Sequence, residues 1–211
     1  MRVLRVDGAA PASEAVSDAV ERLQNGRLVI FPTETLYALG ALALKADAVA
    51  ALRVSKGREE GKPLPVIAAD TEQARALWSE FPPHARALAA RFWPGPLTLV
   101  LRASRDVPAG VTAGGGTVAV RVPGLELARS LARGAGPLVS TSANRAGGRP
   151  PVTCAEAVQA LGDVAVLALD AGPGGGLAST LVDLTRDPPE LVREGAVPWA
   201  EVLAVLRGGA H

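Results

Sequence analysis

Three basic side chains lie close together in the segment Ser55 to Leu64, which contains Lys56, Arg58 and Lys62. Glycines separate these charges, and glycine lets a backbone approach a ligand closely. Lysines neutralise phosphate oxygens as point charges, whereas an arginine binds two oxygens at once. The segment therefore predicts a polyphosphate site, for which an ATP triphosphate is the natural ligand. The alternative is a basic helix end that runs into a solvated turn, since cations and glycine are both favoured at helix C-termini.

Two polar segments each follow a predicted apolar strand. The segment Pro32–Tyr37 reads PTETLY and supplies two threonine hydroxyls and a carboxylate, and Ser140–Asn144 reads STSAN and supplies hydroxyls and an amide. Open α/β sheets bind ligands beyond the carboxyl ends of their strands, so both segments are candidate parts of a site. The structural alternatives are a capped turn for the first segment and an ST-turn with an Asn cap for the second.

Several catalytic designs are excluded by the sequence. The segment Gly57–Lys62 is one residue short of a Walker A loop, and Pro63 stands where that loop has Ser or Thr. His84 and His211 are the only histidines, Cys154 is the only cysteine and no GxSxG motif occurs, so neither a zinc cluster nor a Ser-His-acid triad can be assembled. We therefore predict no covalent nucleophile. Binding and orientation would carry the chemistry, and orientation alone contributes roughly 7–11 kcal/mol in favourable cases.

Composition indicates the class of protein that must position these residues. The chain has 211 residues, of which 48% are hydrophobic, and this fits one compact domain over residues 1–211. A net charge of +1 provides no general basic field for nucleic acid. Charges, Gly or Pro interrupt every hydrophobic stretch before it could cross a bilayer. We therefore expect a soluble, cytoplasmic protein in which Cys154 is a small buried side chain.

Short apolar runs alternate with amphipathic stretches, which is typical of an α/β domain. Thr153 and Glu156 form a predicted capping box at one helix start. The predicted helices cover Ser13–Asn25, Ala46–Ser55, Thr71–Trp78, Pro83–Phe92, Leu125–Arg133, Thr153–Leu161 and Pro198–Arg207. The predicted strands cover Leu28–Phe31, Leu64–Ala68, Leu97–Leu101, Thr117–Val122, Leu138–Ser140, Val164–Leu169, Thr180–Leu184 and Leu191–Arg193.

In this order, the segments resemble the threonylcarbamoyl-AMP synthase family, the YrdC-like proteins of tRNA modification. Pro32–Tyr37 resembles the family's PTET(V/L)Y segment, Lys56–Arg58 its KxR motif and Ser142–Asn144 its SxN motif. Glu59, Ala38 and Ile67 depart from the family pattern. Four further blocks also resemble the family, namely Phe92–Thr98, Ala119–Pro123, Ser179–Asp183 and Arg193–Gly195.

The resemblance implies a YrdC-like α/β fold: an open twisted mixed sheet with helices around a concave basic cavity. It implies that L-threonine, bicarbonate and ATP give L-threonylcarbamoyl-adenylate and pyrophosphate, for the N6-threonylcarbamoyladenosine modification of tRNA position 37. Magnesium would arrive with the ATP. A tRNA-modification transferase would be the partner that receives the adenylate, and weak RNA binding is left open.

The resemblance also implies roles for particular residues. The residues expected to bind ATP are Lys56, Arg58, Thr117, Ser140, Asn144 and Arg193. The residues expected to bind L-threonine are Thr33, Arg121, Ser142 and Ser179.

Two other functions are weighed against this one. An RNA-binding or RNA-maturation module could use the same basic cavity, but an aromatic content of 3% leaves few surfaces on which bases could stack. A related enzyme could form a carbamoyl-adenylate on a different acceptor, and the sequence does not decide between acceptors.

Overall fold

The computed structural model describes residues 1–57 and 61–208. The predictions that concern Arg58, Glu59 and His211 lie outside the described residues. The strands are β1 (Arg2–Arg5), β2 (Val29–Pro32), β3 (Tyr37–Leu42), β4 (Val66–Ile67), β5 (Leu97–Arg102), β6 (Thr117–Arg121), β7 (Leu138–Ser142), β8 (Leu167–Asp170), β9 (Thr180–Asp183) and β10 (Glu190–Arg193). The helices are α1 (Ser13–Gln24), α2 (Ala46–Lys56), α3 (Thr71–Ala76), α4 (Pro83–Phe92), α5 (Ala109–Thr112), α6 (Glu126–Ala135), α7 (Cys154–Leu161) and α8 (Trp199–Gly208).

All of these strands join one ten-stranded mixed sheet in the order β1-β8-β2-β3-β7-β4-β6-β5-β9-β10. Strands β2, β3, β7 and β4 are successively antiparallel. Parallel pairs join β1 to β8, β8 to β2, β4 to β6 and β5 to β9. The predicted mixed α/β sheet is therefore confirmed.

The central strands are buried on both faces. In β2, Val29 and Phe31 pack in one hydrophobic cluster with α1 and α6, whereas Ile30 packs in the other cluster with α2, α4, α7 and α8. Successive side chains of a strand point to opposite faces, so the strand needs apolar residues at every position. This explains the continuous run of apolar residues in the sequence.

The face that α1 and α6 cover is left open over β5, β6 and β9. In β5, Leu97, Leu99 and Leu101 pack in the core, while Thr98 and Val100 point to the opposite face and line a cavity. Strand β6 follows the same alternation, with Val118 and Val120 in the core. The open face of these strands is therefore the floor of a candidate site. No helix of the described residues is both long and apolar enough to cross a membrane.

The structure corrects several predicted elements. Strands β1 and β3 and the short helix α5 were not predicted, and α3 stops at Ala76, before the expected Trp78. Strand β7 extends to Ser142, because Ser140, Thr141 and Ser142 pair with β3. The ST-turn interpretation of these three residues is therefore wrong. The predicted capping box of Thr153 and Glu156 is confirmed at the start of α7.

Candidate active site

A cavity of about 550 Å³ lies on the open face of the sheet. Seven of the residues predicted to bind ligands line it, although they come from five separate parts of the chain. These residues are Thr33, Thr117, Arg121, Ser140, Ser142, Ser179 and Arg193. Lys62, Arg121 and Arg193 supply positive charge to the lining and Asp183 supplies a carboxylate, so the lining has an excess of positive charge.

The turn between β2 and β3 is held by the hydroxyl of Thr33. Its Oγ1 donates to the carbonyl of Leu36 over 2.8 Å and accepts from the backbone N–H groups of Thr35 and Leu36. Thr33 Oγ1 also lies 2.7 Å from Thr35 Oγ1, so the two hydroxyls share a hydrogen bond. Threonine side chains commonly stabilise turns in this way. The capped-turn interpretation is thus correct for this segment, which nevertheless lines the cavity.

A glycine-rich segment packs against the same turn from outside. The N–H groups of Gly175 and Gly176 donate to the carbonyls of Glu34 and Thr35, over 3.1 and 2.9 Å respectively. A Cβ at Gly174 would lie 2.9 Å from the Thr35 carbonyl oxygen, and one at Gly175 would lie 2.8 Å from that of Glu34. Residues with side chains could not approach so closely. The sequence analysis missed this contact, for which the GPGGG run is the available signal.

Arg121, at the end of β6, is the most deeply buried cation of the cavity lining. Its Nη1 donates to Glu34 Oε1 over 3.1 Å and to Thr35 Oγ1 over 3.3 Å. Burial lowers the pKa of the Arg121 guanidinium, the neighbouring Glu34 carboxylate raises it, and the positive charge of Arg193 lowers it. The Glu34 charge thus compensates for part of the cost of burying a cation in the sheet.

Arg193 reaches the cavity from the edge strand β10. Its Nε and Nη2 donate to the Ser179 carbonyl over 3.2 and 2.8 Å, and Nη2 also lies 3.3 Å from Ser179 Oγ. The register of β10 against β9 shifts between Leu191 and Arg193. A β-bulge of this kind changes the direction of a side chain, and here Val192 and Arg193 both line the cavity.

The backbone that follows Arg193 is fixed by one buried hydroxyl. Thr180 Oγ1 donates to the Val197 carbonyl over 2.6 Å and accepts from the N–H groups of Gly195 and Val197. A Cβ at Gly195 would lie only 2.2 Å from the carbonyl oxygen of Ala178. Only glycine fits here, which is the physical reason for the Arg-Glu-Gly sequence.

Lys56 is buried at the end of α2 and does not line the cavity. Gly57 ends this helix with a φ of 57°, a left-handed conformation that favours glycine. The Lys56 side chain is 5% exposed, and its Nζ donates to the Ser142 carbonyl. The prediction of a helix end at this point is therefore correct. The prediction that its basic side chains are solvated is wrong for Lys56, which is buried. Its ammonium lies directly behind a residue of the cavity wall.

Asn144 also lies beside the cavity. Its Nδ2 donates to the carbonyls of Arg145 and Gly148 over 2.8 and 2.7 Å, which orients the amide. Within the described part of the chain, Asn144 Oδ1 is buried and has no hydrogen-bond partner. A buried acceptor without a partner is costly, so a ligand donor would satisfy it.

Other residues of the site were not singled out from the sequence. Thr98 Oγ1 lies 2.8 Å from Ser179 Oγ. The Tyr37 hydroxyl lies 2.7 Å from the Gly172 carbonyl oxygen and 3.1 Å from Asp170 Oδ1, and its single hydrogen is shared between these acceptors. Burial together with the Asp170 charge raises the Tyr37 pKa. Periodicity alone gives no indication of these pairs, whose partners are 81 to 135 residues apart in the chain.

The fold and the cavity define an α/β protein with a cavity of net positive charge on the open face of a mixed sheet. The Sua5_yciO_yrdC family model, described as "Telomere recombination", matches residues 21–195, and the chain belongs to this family. The predicted resemblance and the YrdC-like fold class are both confirmed.

Named relatives support the same assignment. The threonylcarbamoyl-AMP synthase of Pyrococcus abyssi is 41% identical over 186 residues, which cover 87% of this chain and 55% of that protein. A putative threonylcarbamoyl-AMP synthase of Mycobacterium tuberculosis is 38% identical over 195 residues, which cover 92% of this chain and 90% of the relative. The crystal structure of P. abyssi Sua5 complexed with L-threonine matches with a TM-score of 0.94 at 38% identity, over 97% of this chain and 61% of that one. The chain thus spans little more than half the length of the P. abyssi relative.

Proposed function

We propose that this protein is an L-threonylcarbamoyladenylate synthase. The reaction is L-threonine, bicarbonate and ATP to threonylcarbamoyl-AMP, pyrophosphate and water. The observation that carries the proposal is the cavity that contains Arg121 and Arg193, in a fold that matches Sua5 complexed with L-threonine at a TM-score of 0.94. The names of the P. abyssi and M. tuberculosis relatives support the same reaction.

The threonine end of the cavity is assigned to Thr33, Arg121, Ser142 and Ser179. Arg121 presents a planar guanidinium that suits a carboxylate. Ser179 is held by Thr98, and the hydroxyl of Thr33 lies in a turn that its own hydrogen bonds make rigid. The support for this assignment is that all four residues line one cavity.

The ATP end is assigned to Thr117, Ser140 and Arg193, with Lys56 and Asn144 directly behind Ser142. Arg58 belongs to the same assignment but lies outside the described residues. The unpartnered Oδ1 of Asn144 and the ammonium of Lys56 both lie close to the end of β7. The Lys56 ammonium suits a phosphate oxygen, whereas Asn144 Oδ1 suits a donor group of the nucleotide.

The chemistry needs no protein nucleophile. The threonine amine takes up bicarbonate as a carbamate with loss of water, and a carbamate oxygen then attacks the α-phosphorus as the bond to pyrophosphate breaks. The positive groups stabilise charge on the departing pyrophosphate. The described residues contain no group of three or more His, Cys, Asp or Glu that could hold a metal ion. Magnesium is assigned to the triphosphate itself, held by phosphate oxygens and water.

The product has a mixed anhydride, which reacts readily with nucleophiles and with water. We assign its use to a tRNA-modification transferase and its place of action to the cytoplasm, since the modified substrate would be tRNA position 37. Direct RNA binding by this chain would be weak, because the net charge is only +1.

The experiment is to incubate the protein with ATP, labelled bicarbonate and each amino acid in turn, and to identify the adenylate by mass spectrometry. We expect pyrophosphate release only when threonine and bicarbonate are both present. Serine lacks one methyl group and should be poorer by roughly 10–200-fold in kcat/KM. Equal turnover with many amino acids, or release of ADP and phosphate, would contradict the proposal. RNA binding without adenylate formation would favour the RNA-maturation alternative.

A further inference from the structure

Glu34 does not line the cavity, but its carboxylate contacts Arg121, which does. Oε1 accepts from Arg121 Nη1 over 3.1 Å, and Oε2 accepts from the backbone N–H of Leu125 over 3.4 Å. Leu125 is the residue directly before α6, so the carboxylate bridges the end of β6 and the start of a helix. A carboxylate is favoured at a helix N-terminus, where the backbone N–H groups lack intrahelical partners.

Glu34 and Thr35 contact one end of the Arg121 guanidinium. Both residues accept hydrogen bonds from Nη1, and Thr35 is in turn held by the Thr33 hydroxyl. Over residues 1–57 and 61–208, these are the hydrogen bonds that the Arg121 side chain makes. The Nε and Nη2 donors of a cavity-lining side chain are therefore left for a ligand. A guanidinium presents such neighbouring donors in a rigid plane that matches a carboxylate.

We propose that Glu34 is a positioning residue that orients the Arg121 guanidinium for the carboxylate of the amino-acid substrate. Glu34 holds one end of the guanidinium so that the other faces the cavity, and it compensates for the buried positive charge in the absence of substrate. This inference rests on the proposed function and adds to it a residue that determines recognition of the substrate carboxylate.

Charge and orientation make opposite predictions for the isosteric variant Glu34→Gln. If Glu34 acted only through its negative charge, its removal would make the electrostatic potential around Arg121 more positive. The binding of an anionic carboxylate would then become stronger. If Glu34 acts by orientation, the amide offers one acceptor in place of two for Arg121 Nη1 and Leu125 N–H, so the guanidinium is held less firmly and the substrate carboxylate binds more weakly. Hydrogen bonds to charged groups contribute enough to change affinity by roughly 10–100-fold.

The test is a cycle of two proteins and two ligands, measured by calorimetry without bicarbonate so that no adenylate forms. The affinities of L-threonine and of L-threoninamide, which lacks the carboxylate charge, are compared between the wild-type protein and Glu34→Gln. We expect Glu34→Gln to weaken L-threonine binding by roughly 10–100-fold and to weaken L-threoninamide binding much less. The KM for ATP should change by no more than about twofold, as for distant sites that do not interact.

Two controls separate positioning from a general structural effect. Glu72→Gln makes the same chemical change in a side chain that is 86% exposed and paired with Arg75, and it should leave both affinities unchanged. Glu34→Asp keeps the charge and should restore part of the L-threonine affinity.

Unchanged L-threonine binding in Glu34→Gln, or an equal loss for L-threonine, L-threoninamide and ATP, would overturn the role of Glu34. An absence of L-threonine binding by the wild-type protein would instead overturn the proposed function itself. If Glu34→Gln proves unstable in thermal melts, Glu34→Asp carries the test: it keeps the charge but shortens the side chain, so it should weaken L-threonine binding more than L-threoninamide binding, and equal effects on the two would overturn the role of Glu34.

Discussion

At the scale of single residues, two of the cations of this site, Lys56 and Arg121, are buried, whereas Lys62 and Arg193 are exposed. Lys56 is 5% exposed and Arg121 is 7% exposed, and no local pattern in the sequence indicates the burial of either side chain. A buried cation must be paired or hydrogen-bonded, because the cost of removing it from water is large. Their placement therefore argues for a site in which charge is held ready for an anionic ligand, rather than for a solvated basic surface.

The first prediction concerns Lys56. Replacement of Lys56 by Ala should lower the rate of adenylate formation by roughly 10²–10³, which is the usual effect of removing one preorganised electrostatic donor. It should also destabilise the fold by about 1–3 kcal/mol, because the Ser142 carbonyl loses a charged donor, although it keeps the Asn144 N–H. The measurements are steady-state kinetics with ATP titrated and thermal melts.

A matched control is available at the other end of the same helix. Lys45 precedes α2 and donates to the Gln24 carbonyl over 3.0 Å in an exposed position. Lys45→Ala should therefore leave catalysis unchanged. Wild-type kinetics in Lys56→Ala would remove the reason to place phosphate near this ammonium.

A second prediction at this scale concerns Ser142, which lines the cavity at the end of β7. We assign it to substrate positioning, so Ser142→Ala should keep partial activity. Its hydroxyl has no histidine or carboxylate base among its described hydrogen-bond partners, and an unactivated serine is a weak nucleophile. Peptide mass spectrometry during turnover should find no acyl or carbamoyl adduct. An adduct trapped on Ser142 would restore covalent catalysis.

Residue types could be predicted from the sequence more readily than their pairings. Most of the predicted ligand-binding residues line one cavity because they lie in short motifs at strand ends, which the sequence displays directly. The Glu34–Arg121 pair spans 87 residues of sequence, and nothing local to either residue indicates it. Such pairs depend on the order of strands in the sheet, which short-range patterns do not encode.

At the scale of elements, long amphipathic helices were predicted well and one central strand was missed. The bounds of α1 and α4 agree with the prediction to within a residue. Strand β3 reads YALGAL, and alanine and glycine have low strand propensity. It forms because β2 and β7 pair with it on both sides, and a Cβ at Gly40 would lie 2.3 Å from the Phe31 ring. Tertiary pairing thus overrides the local preference.

The close packing of the segment after β10 against Ala178 and Thr180 gives a prediction for Gly195. Gly195→Ala places a Cβ 2.2 Å from the Ala178 carbonyl oxygen, so the backbone must shift. We expect a loss of about 1–3 kcal/mol in stability, as for other overpacked sites. We also expect a higher KM for ATP, because Arg193 lies two residues earlier on the same backbone and should move with it.

The control is Gly208→Ala at the end of α8, where an added Cβ meets nothing within 4 Å. This substitution should leave the melting temperature and the KM for ATP close to wild type. If Gly195→Ala behaved in the same way, the fit of backbone against backbone at Ala178 would not be what holds Arg193 in place.

At the scale of the whole molecule, the cavity results from incomplete coverage of the sheet. Helices α1 and α6 pack over one face as far as β4 and β7, and beyond them the same face carries the cavity floor on β5, β6 and β9. The core beneath that floor is apolar, so the site is built on a rigid support. Ligand binding should therefore be linked to the stability of the whole fold.

Cys154 permits a test of the pH dependence of stability. Burial, together with the smaller effect of the Asp170 charge, raises the pKa of its thiol to about 11. Because the pKa is raised on folding, the fold favours the neutral thiol. This contribution is fully present below the unfolded pKa of about 8.5 and is lost as the pH rises through about 11. Cys154→Ala should show a weaker alkaline loss of stability than the wild-type protein in this pH range, measured by denaturant unfolding.

The same thiol should report ligand binding at a distance. Cys154 is the only cysteine and is 4% exposed, so a thiol reagent near neutral pH should react chiefly when the fold opens. A ligand at 100 times its Kd stabilises the native state by about 2.7 kcal/mol, so saturating L-threonine should slow labelling by about 100-fold. The measurement is the labelling rate by mass spectrometry over a threonine titration.

As a control, L-threonine should not slow labelling of the chain unfolded in denaturant. A labelling rate that does not respond to L-threonine, while calorimetry shows binding, would mean that α7 opens locally and is not linked to the cavity.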